Sequence, residues 1–318
     1  MSYTAGELHG ICGMMPAFST PNASDITATE TVDVENLEEG VDRIIKDGGV
    51  DMIATTGSFG QCYNLFWEEF QTLVRASIEV VNKRVPLMVG VTSANARETY
   101  QKIKFVREAG GEGVLVGLPY YDSLPVRDIP TFYRTISELF PDISIMVYHN
   151  PENHRVHIPV PVFRELVRLP NVVAMKDGRR ETREFMDLHD IIQGKIADFV
   201  HILQVYPFYE MGAAGCWSYH IWQGPWPVIA LRDAAIAGDT EKQRAIIGEM
   251  RAGGVAGRPS ELADYVTMGP PRPPFSWIQA VPEEATKSAE RARKAVAGWS
   301  ALCEKYRPGV EARKAAHP

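Results

Sequence analysis

Cysteine is scarce: Cys12, Cys62, Cys216 and Cys303 are the only four in 318 residues, and no two form a C-x-x-C pair. Such spacing argues against a thiolate zinc site or a secreted disulfide framework, so they read as reduced thiols of a cytoplasmic protein. No charge of one sign is concentrated: 33 basic and 40 acidic residues give a net charge of −7 without a basic stripe, which speaks against nucleic acid as a partner. No apolar run reaches the roughly 18 residues of a membrane span, and MSYTAGELHG at the start lacks the cationic and apolar regions of an export signal. The segment after the first apolar run, AFSTPNASD, carries no G-x-G-x-x-G, which disfavours a dinucleotide-binding sheet. His154 and His157 lack a carboxylate or second pair at ligand spacing, so they read as part of a proline-flanked loop and no metal is expected.

What the chain does have is alternation. Eight short apolar runs occur near residues 10–18, 51–57, 86–92, 113–119, 143–150, 172–177, 198–204 and 215–218. Between them lie segments of helical period: VENLEEGVDRIIKDG, WEEFQTLVRASIEVV, NARETYQKIKFVREAG, IPTFYRTISELF, PVFRELVRL and TREFMDLHDII. Near-continuous apolar strands, each followed by a helix, indicate a parallel sheet covered by helices, and the count fits a closed (β/α)8 TIM barrel. The expected division is a barrel over residues 1–240 and a C-terminal helical extension over 241–318 packed on it, joined through the proline-rich GPPRPPF at 269–275.

In such a barrel the C-terminal strand ends face the active-site mouth. Lys176 follows the apolar run Val172 to Met175 and is the first candidate. A buried lysine tends to lose its proton, and a neutral amine attacks a ketone to form a Schiff base; pairing with Asp177 or escape to solvent explains it equally. Tyr148 ends the fifth run, where a phenol can shuttle protons or simply pack in the core. Gly57-Ser58-Phe59-Gly60 after the second run offers backbone amides and a hydroxyl to a carboxylate, or is an ordinary turn.

Taken together, Gly57-Ser58-Phe59-Gly60, Tyr148-His149-Asn150-Pro151, Lys176-Asp177 and Gly212 through Ser218 resemble the class I, Schiff-base aldolase family that includes dihydrodipicolinate synthase and N-acetylneuraminate lyase. The resemblance covers roughly residues 10–240. It implies that Lys176 is the Schiff-base lysine, that Tyr148 is its proton shuttle, and that Ser58 and neighbouring amides hold the carboxylate of a pyruvate unit. No external cofactor is implied. Glu152-Asn153-His154 stands where dihydrodipicolinate synthases carry an arginine, which disfavours their substrate.

Trp217, Phe59, Asn150 and GPPRPPF are most similar to the hydratase-aldolases of polycyclic aromatic degradation, which act on trans-o-hydroxybenzylidenepyruvate or trans-2'-carboxybenzalpyruvate. The implied partners are an aromatic 2-oxo acid and pyruvate. Trp217, Tyr219, Trp222 and Trp226 suggest an aromatic wall for such a substrate. One departure is Gln61, where that family often has Glu. Arg179 and Arg180 read as a solvated helix start or as a clamp for a ring carboxylate, while Tyr120 and Tyr121 resemble paired tyrosines near a subunit contact and favour a homodimer or homotetramer. A pyruvate-dependent lyase or dehydratase of sugar acids, and a non-catalytic barrel that binds an oxo acid, are the rival expectations.

Overall fold

A computed structural model describes residues 3–178, 180–253, 264–273 and 282–316. Eight strands close into one parallel barrel in sequence order: β1 (Gly10–Met14), β2 (Met52–Thr55), β3 (Leu87–Gly90), β4 (Gly113–Gly117), β5 (Ser144–Tyr148), β6 (Val172–Lys176), β7 (Ala197–His201) and β8 (Gly215–Ser218). Closure comes where β1 pairs with β8, Gly10 beside Gly215. The expected TIM barrel is therefore present.

The strands are apolar on both faces because both faces are covered. Cys12, Met14, Met52, Met88, Leu115 and Met146 fill the inside. Ile53, Val89, Val114, Val116, Ile145 and Val147 face outward into the helices. Methionine suits the interior, since its unbranched thioether fills the irregular gaps left beside Gly and Ala.

The helices are α1 (Val34–Lys46), α2 (Trp67–Val81), α3 (Ala96–Glu108), α4 (Ile129–Leu139), α5 (Pro151–His154), α6 (Phe163–Leu166), α7 (Thr182–Ile192), α8 (Val205–Phe208), α9 (Trp226–Ile236), α10 (Thr240–Gly253) and α11 (Pro282–Ala316). Local chemistry sets several starts: Asp33 accepts from Asn36 N at 3.0 Å, and Asn95 accepts from Arg97 N and Glu98 N. The long α11 packs against α9 and α10. Trp299 in α11 donates its indole N–H to Gly224 O at 3.0 Å.

Two expected elements come out shorter. PVFRELVRL forms only a 3-10 turn, Val160–Val162, and the single turn α6. The seventh run stops being strand at His201, and Ile202–Gln204 is a 3-10 turn. Pro274 and Phe275 of GPPRPPF lie outside the described residues. Among those described, no helix is long and apolar enough to cross a membrane.

Candidate active site

Alternation along a strand decides which side chains enter the barrel. Lys176, last in β6, points inward and is 7% exposed. Its Nζ stands 3.6 Å from the centre of the Trp217 ring and 5.0 Å from that of Tyr148. Tyr148 is the register partner of Lys176 across β5 and β6, so the backbone ladder itself puts them side by side.

The phenol is held by its neighbours. Ser58 N donates to Tyr148 Oη at 3.4 Å, and Tyr148 Oη donates to Ser58 Oγ at 3.1 Å. Asn150 Nδ2 donates to both oxygens, at 3.1 Å to Tyr148 Oη and 3.3 Å to Ser58 Oγ. Asn153 Nδ2 adds a 2.9 Å bond to Ser58 Oγ. Burial pushes the Tyr148 hydroxyl above its ordinary pKa, while the bonds with Ser58 and Asn150 pull it back. His154 stacks edge-on against Tyr148 at 5.0 Å between ring centres; burial and then the charge of Lys176 lower its pKa to about 3.

Ser58, Phe59, Tyr148, Asn150, Lys176 and Trp217 share one cavity of about 140 Å³ with Tyr219 and Asn153. A larger cleft of about 410 Å³ lies elsewhere, beside Thr31 and Arg272, and contains none of these groups. Chemistry therefore marks the smaller one. Gly57 and Gly60 are not among its lining residues. Gly60 packs so closely that a Cβ would fall 2.9 Å from Thr56 N.

Trp217 is fixed from behind, its indole N–H donating to Asp177 O at 2.6 Å. It meets Tyr219 at 6.0 Å between ring centres, and Tyr219 meets Phe59 at 5.4 Å. Those three rings make the aromatic wall. Trp222 and Trp226, expected in it, are elsewhere: Trp222 is fully buried with its N–H on Met14 O at 2.7 Å, and Trp226 packs on Tyr265 at 5.4 Å. Being on the chain just after the eighth strand did not bring them to the mouth.

Arg180 is neither a solvated helix start nor a clamp in the cavity. Its side chain is 1% exposed, with Nε on Asp177 Oδ2 at 2.5 Å, Nη1 on Glu184 Oε1 at 2.6 Å and Nη2 on Ile158 O at 2.9 Å. Asp177 also accepts from Gly178 N at 2.7 Å and lies 2.9 Å from His149 Nδ1. Ile158 N donates to His149 Nε2 at 3.3 Å, so the ring's proton sits on Nδ1 and goes to Asp177. Asp198 is buried nearby, and burial, then the charge of Asp177, raise its pKa well above the ordinary carboxylate range against the opposing pull of Arg180. Arg179 lies outside the described residues.

His154 and His157, expected in a plain loop, differ from one another. His154 ends α5 and is buried at the site, while His157 Nε2 lies 2.6 Å from Glu184 Oε1 in the Arg180 network. Sequence reasoning did not select Asn153 or the His149–Asp177–Arg180 network as functional, whereas Tyr219 is where the aromatic wall was expected. Asn153 had one usable signal: Pro151 begins a turn that carries it back toward the strand end.

A closed (β/α)8 barrel with a lysine buried at its mouth is the architecture of class I aldolases, and this chain is an enzyme of that class, a carbon–carbon lyase. It belongs to the dihydrodipicolinate synthetase family, whose model matches residues 11–250. It is 30% identical to trans-O-hydroxybenzylidenepyruvate hydratase-aldolase of Pseudomonas aeruginosa over 95% of both chains. It is 26% identical to trans-2'-carboxybenzalpyruvate hydratase-aldolase of Nocardioides sp. (strain KP7), over 95% of this chain and 96% of that one. A solved structure of PhdJ bound to a substrate intermediate superposes with a TM-score of 0.88 at 28% identity, covering 96% of this chain and 99% of that one. Dihydrodipicolinate synthase of Cyanidioschyzon merolae, at 20% identity and a TM-score of 0.80, shares the fold.

Proposed function

We propose that this enzyme is a hydratase-aldolase that cleaves an arylidene pyruvate into an aromatic aldehyde and pyruvate through a Schiff base on Lys176. The observation carrying the proposal is the placement of the Lys176 amine between the Tyr148 ring and the Trp217 face, at 5.0 and 3.6 Å from their centres. Both hydratase-aldolase relatives are similar over nearly their whole length, which supports this reading over a sugar-acid lyase.

The amine attacks the C2 ketone and water leaves, giving an iminium. Tyr148, held protonated by burial, supplies the proton to that departing water. The phenolate left behind is stabilised by Ser58 N–H and Asn150 Nδ2–H, at 3.4 and 3.1 Å from its oxygen. The iminium draws electrons through the conjugated double bond, so water adds at C4 and a proton goes to C3. Tyr148 then removes the C4 hydroxyl proton, the C3–C4 bond breaks, and the aldehyde departs. The remaining enamine takes a proton at C3, and water hydrolyses the iminium to release pyruvate and restore the amine. Ser58 and the adjoining loop amides hold the carboxylate, and the Phe59, Trp217 and Tyr219 rings hold the aryl group.

The ring of the substrate is unsubstituted, hydroxylated or carboxylated; a panel of the three, followed at the aldehyde, ranks them. The assembly is a homodimer or homotetramer that covers the 81% exposed ring of Tyr121, which sedimentation measures. Buried thiols at Cys12, Cys216 and Cys303 suit a cytoplasmic setting. Borohydride reduction with pyruvate is expected to add a 1-carboxyethyl group to the peptide carrying Lys176, and Lys176→Ala to lose both the adduct and cleavage. An unmodified Lys176, or an alanine variant that cleaves at the parental rate, refutes the mechanism.

A further inference from the structure

The loop that carries Ser58 is bounded by two residues in backbone conformations that favour glycine, Thr56 at φ 45° and Gln61 at φ 52°. Something outside the loop must hold it in that shape. Thr56 is tied to the neighbouring strand, its hydroxyl donating to Gly90 O at 2.7 Å. Gln61 is tied to the far end of the chain: its Oε1 accepts the backbone N–H of Arg272 at 3.1 Å.

The segment supplying that N–H, residues 264–273, is itself anchored to the loop after β1. Met268 O accepts from Ser19 N at 2.9 Å, and Pro270 O accepts from Ser19 Oγ at 2.5 Å. The buried Arg272 guanidinium donates from Nε to Thr31 Oγ1 at 2.6 Å and from Nη2 to Thr31 O at 2.7 Å. Thr31 N in turn donates to Glu69 Oε1 at 2.8 Å, and Glu69 Oε2 accepts from Phe66 N at 2.9 Å where the Ser58 loop runs into α2. Asn64, three residues after Gln61, donates to Pro273 O. A strap from beyond the barrel thus grips both ends of the segment between Gln61 and α2. Its prolines suit this task, because they limit the chain's freedom before any bond is made.

We infer that Gln61 is a positioning residue for the 2-oxo acid carboxylate, and that the strap formed by residues 268–273 is a working part of the substrate site rather than a passive connector. This rests on the reading that Lys176 binds a 2-oxo acid covalently. The requirement at position 61 is an acceptor for one N–H, which an amide oxygen and a carboxylate both satisfy. That accounts for Gln serving at a position where the resemblance leads to an expectation of Glu.

The test measures the pyruvate concentration giving half-maximal borohydride trapping. Gln61→Met keeps the side-chain length and removes the acceptor, so half-saturation is expected to rise about tenfold while the maximal extent of trapping stays near parental. Gln61→Glu restores the acceptor and is expected to stay within about twofold of the parent. Ser19→Ala loosens the strap from its other anchor, without touching the loop, and is expected to move half-saturation the same way by a smaller factor. Unchanged half-saturation in Gln61→Met, or an equal rise in Gln61→Glu, overturns the inference. If Gln61→Met does not fold, an unchanged Ser19→Ala overturns it instead. Absence of trapping in the parent refutes the Schiff-base reading, and so distinguishes the two failures.

Discussion

His154 should make the enzyme acid-sensitive in a defined window. Its ring is 3% exposed, stacks on Tyr148, and sits close enough to Gly117 that a Cβ there would lie 2.3 Å from its Cε1. Burial and the nearby Lys176 lower its pKa from 6.5 to about 3. Between those two values the unfolded chain holds a proton that the folded one does not, so stability is fully present above 6.5 and declines as pH falls toward 3. Each pH unit inside the window costs about 1.4 kcal/mol, which makes the loss between pH 7 and pH 5 about 2 kcal/mol from this one ring. His149 is also lowered, by burial against the opposing pull of Asp177, and adds to the loss in the same direction. His154→Gln removes one of the two contributions. Urea unfolding at both pH values should show the parent losing about 2 kcal/mol more than the variant on acidification. Equal losses would mean that His154 takes up its proton in the folded state, and the argument from burial would fail. The functional side of the same fact is that a neutral His154 adds no second positive charge beside the amine.

Arg180→Met should destabilise by about 3–5 kcal/mol, because it leaves the Asp177 carboxylate, 3% exposed at its side chain, buried without its guanidinium; thermal and urea unfolding measure it, and a change below about 1 kcal/mol contradicts the pairing. Gly178→Ala places a Cβ 2.7 Å from Trp217 Cζ2 and must displace that ring. It should lower kcat/KM for arylidene pyruvates about tenfold or more while pyruvate trapping on Lys176 persists, and an undiminished kcat/KM would show that Trp217 does not shape the aryl site.

The barrel was legible because each strand announces itself within a few residues. Apolar runs such as VLVG and IMVY are bounded by polar or glycine residues, and the helices between carry one apolar face. Lys176, Tyr148 and Ser58 were legible for a related reason: strand ends in a barrel all point to one mouth. What the sequence hid depends on where separate elements meet. Arg180 looks solvent-facing in RRETREF, yet its partners Asp177, Glu184 and Ile158 O surround it once α7 folds against β6. Trp222 and Trp226 follow Trp217 closely, but the chain leaves β8 in a 3-10 turn, His220–Gln223, and enters α9, which puts both in the layer beneath the helices. Gln61 could not be paired with Arg272 by any local rule, since 211 residues separate them.

One irregularity in the sheet explains why Lys176 and Tyr148, the pair proposed to react, meet at all. Along β5 and β6, Ile145 is opposite Val172, but Met146 is opposite Ala174, so β6 carries one extra residue. At that bulge Val173 and Ala174 both join the interior cluster, whereas Val172 and Met175 face outward. Continued without the bulge, the first pairing would set Tyr148 against Met175, and alternation would turn Lys176 outward, with no tyrosine beside it. The extra residue restores the match twice over: inside the barrel Tyr148 adjoins Lys176, and outside it His149 Nδ1 meets Asp177 at 2.9 Å. Each strand end thereby gives one side chain to the cavity and the next to the buried network that fixes the backbone. The outward pair is then not incidental to the inward one. The bond between His149 and Asp177 locks the register in which the amine and the phenol face each other, and the Asp177 carbonyl reaches across to hold Trp217 over the amine.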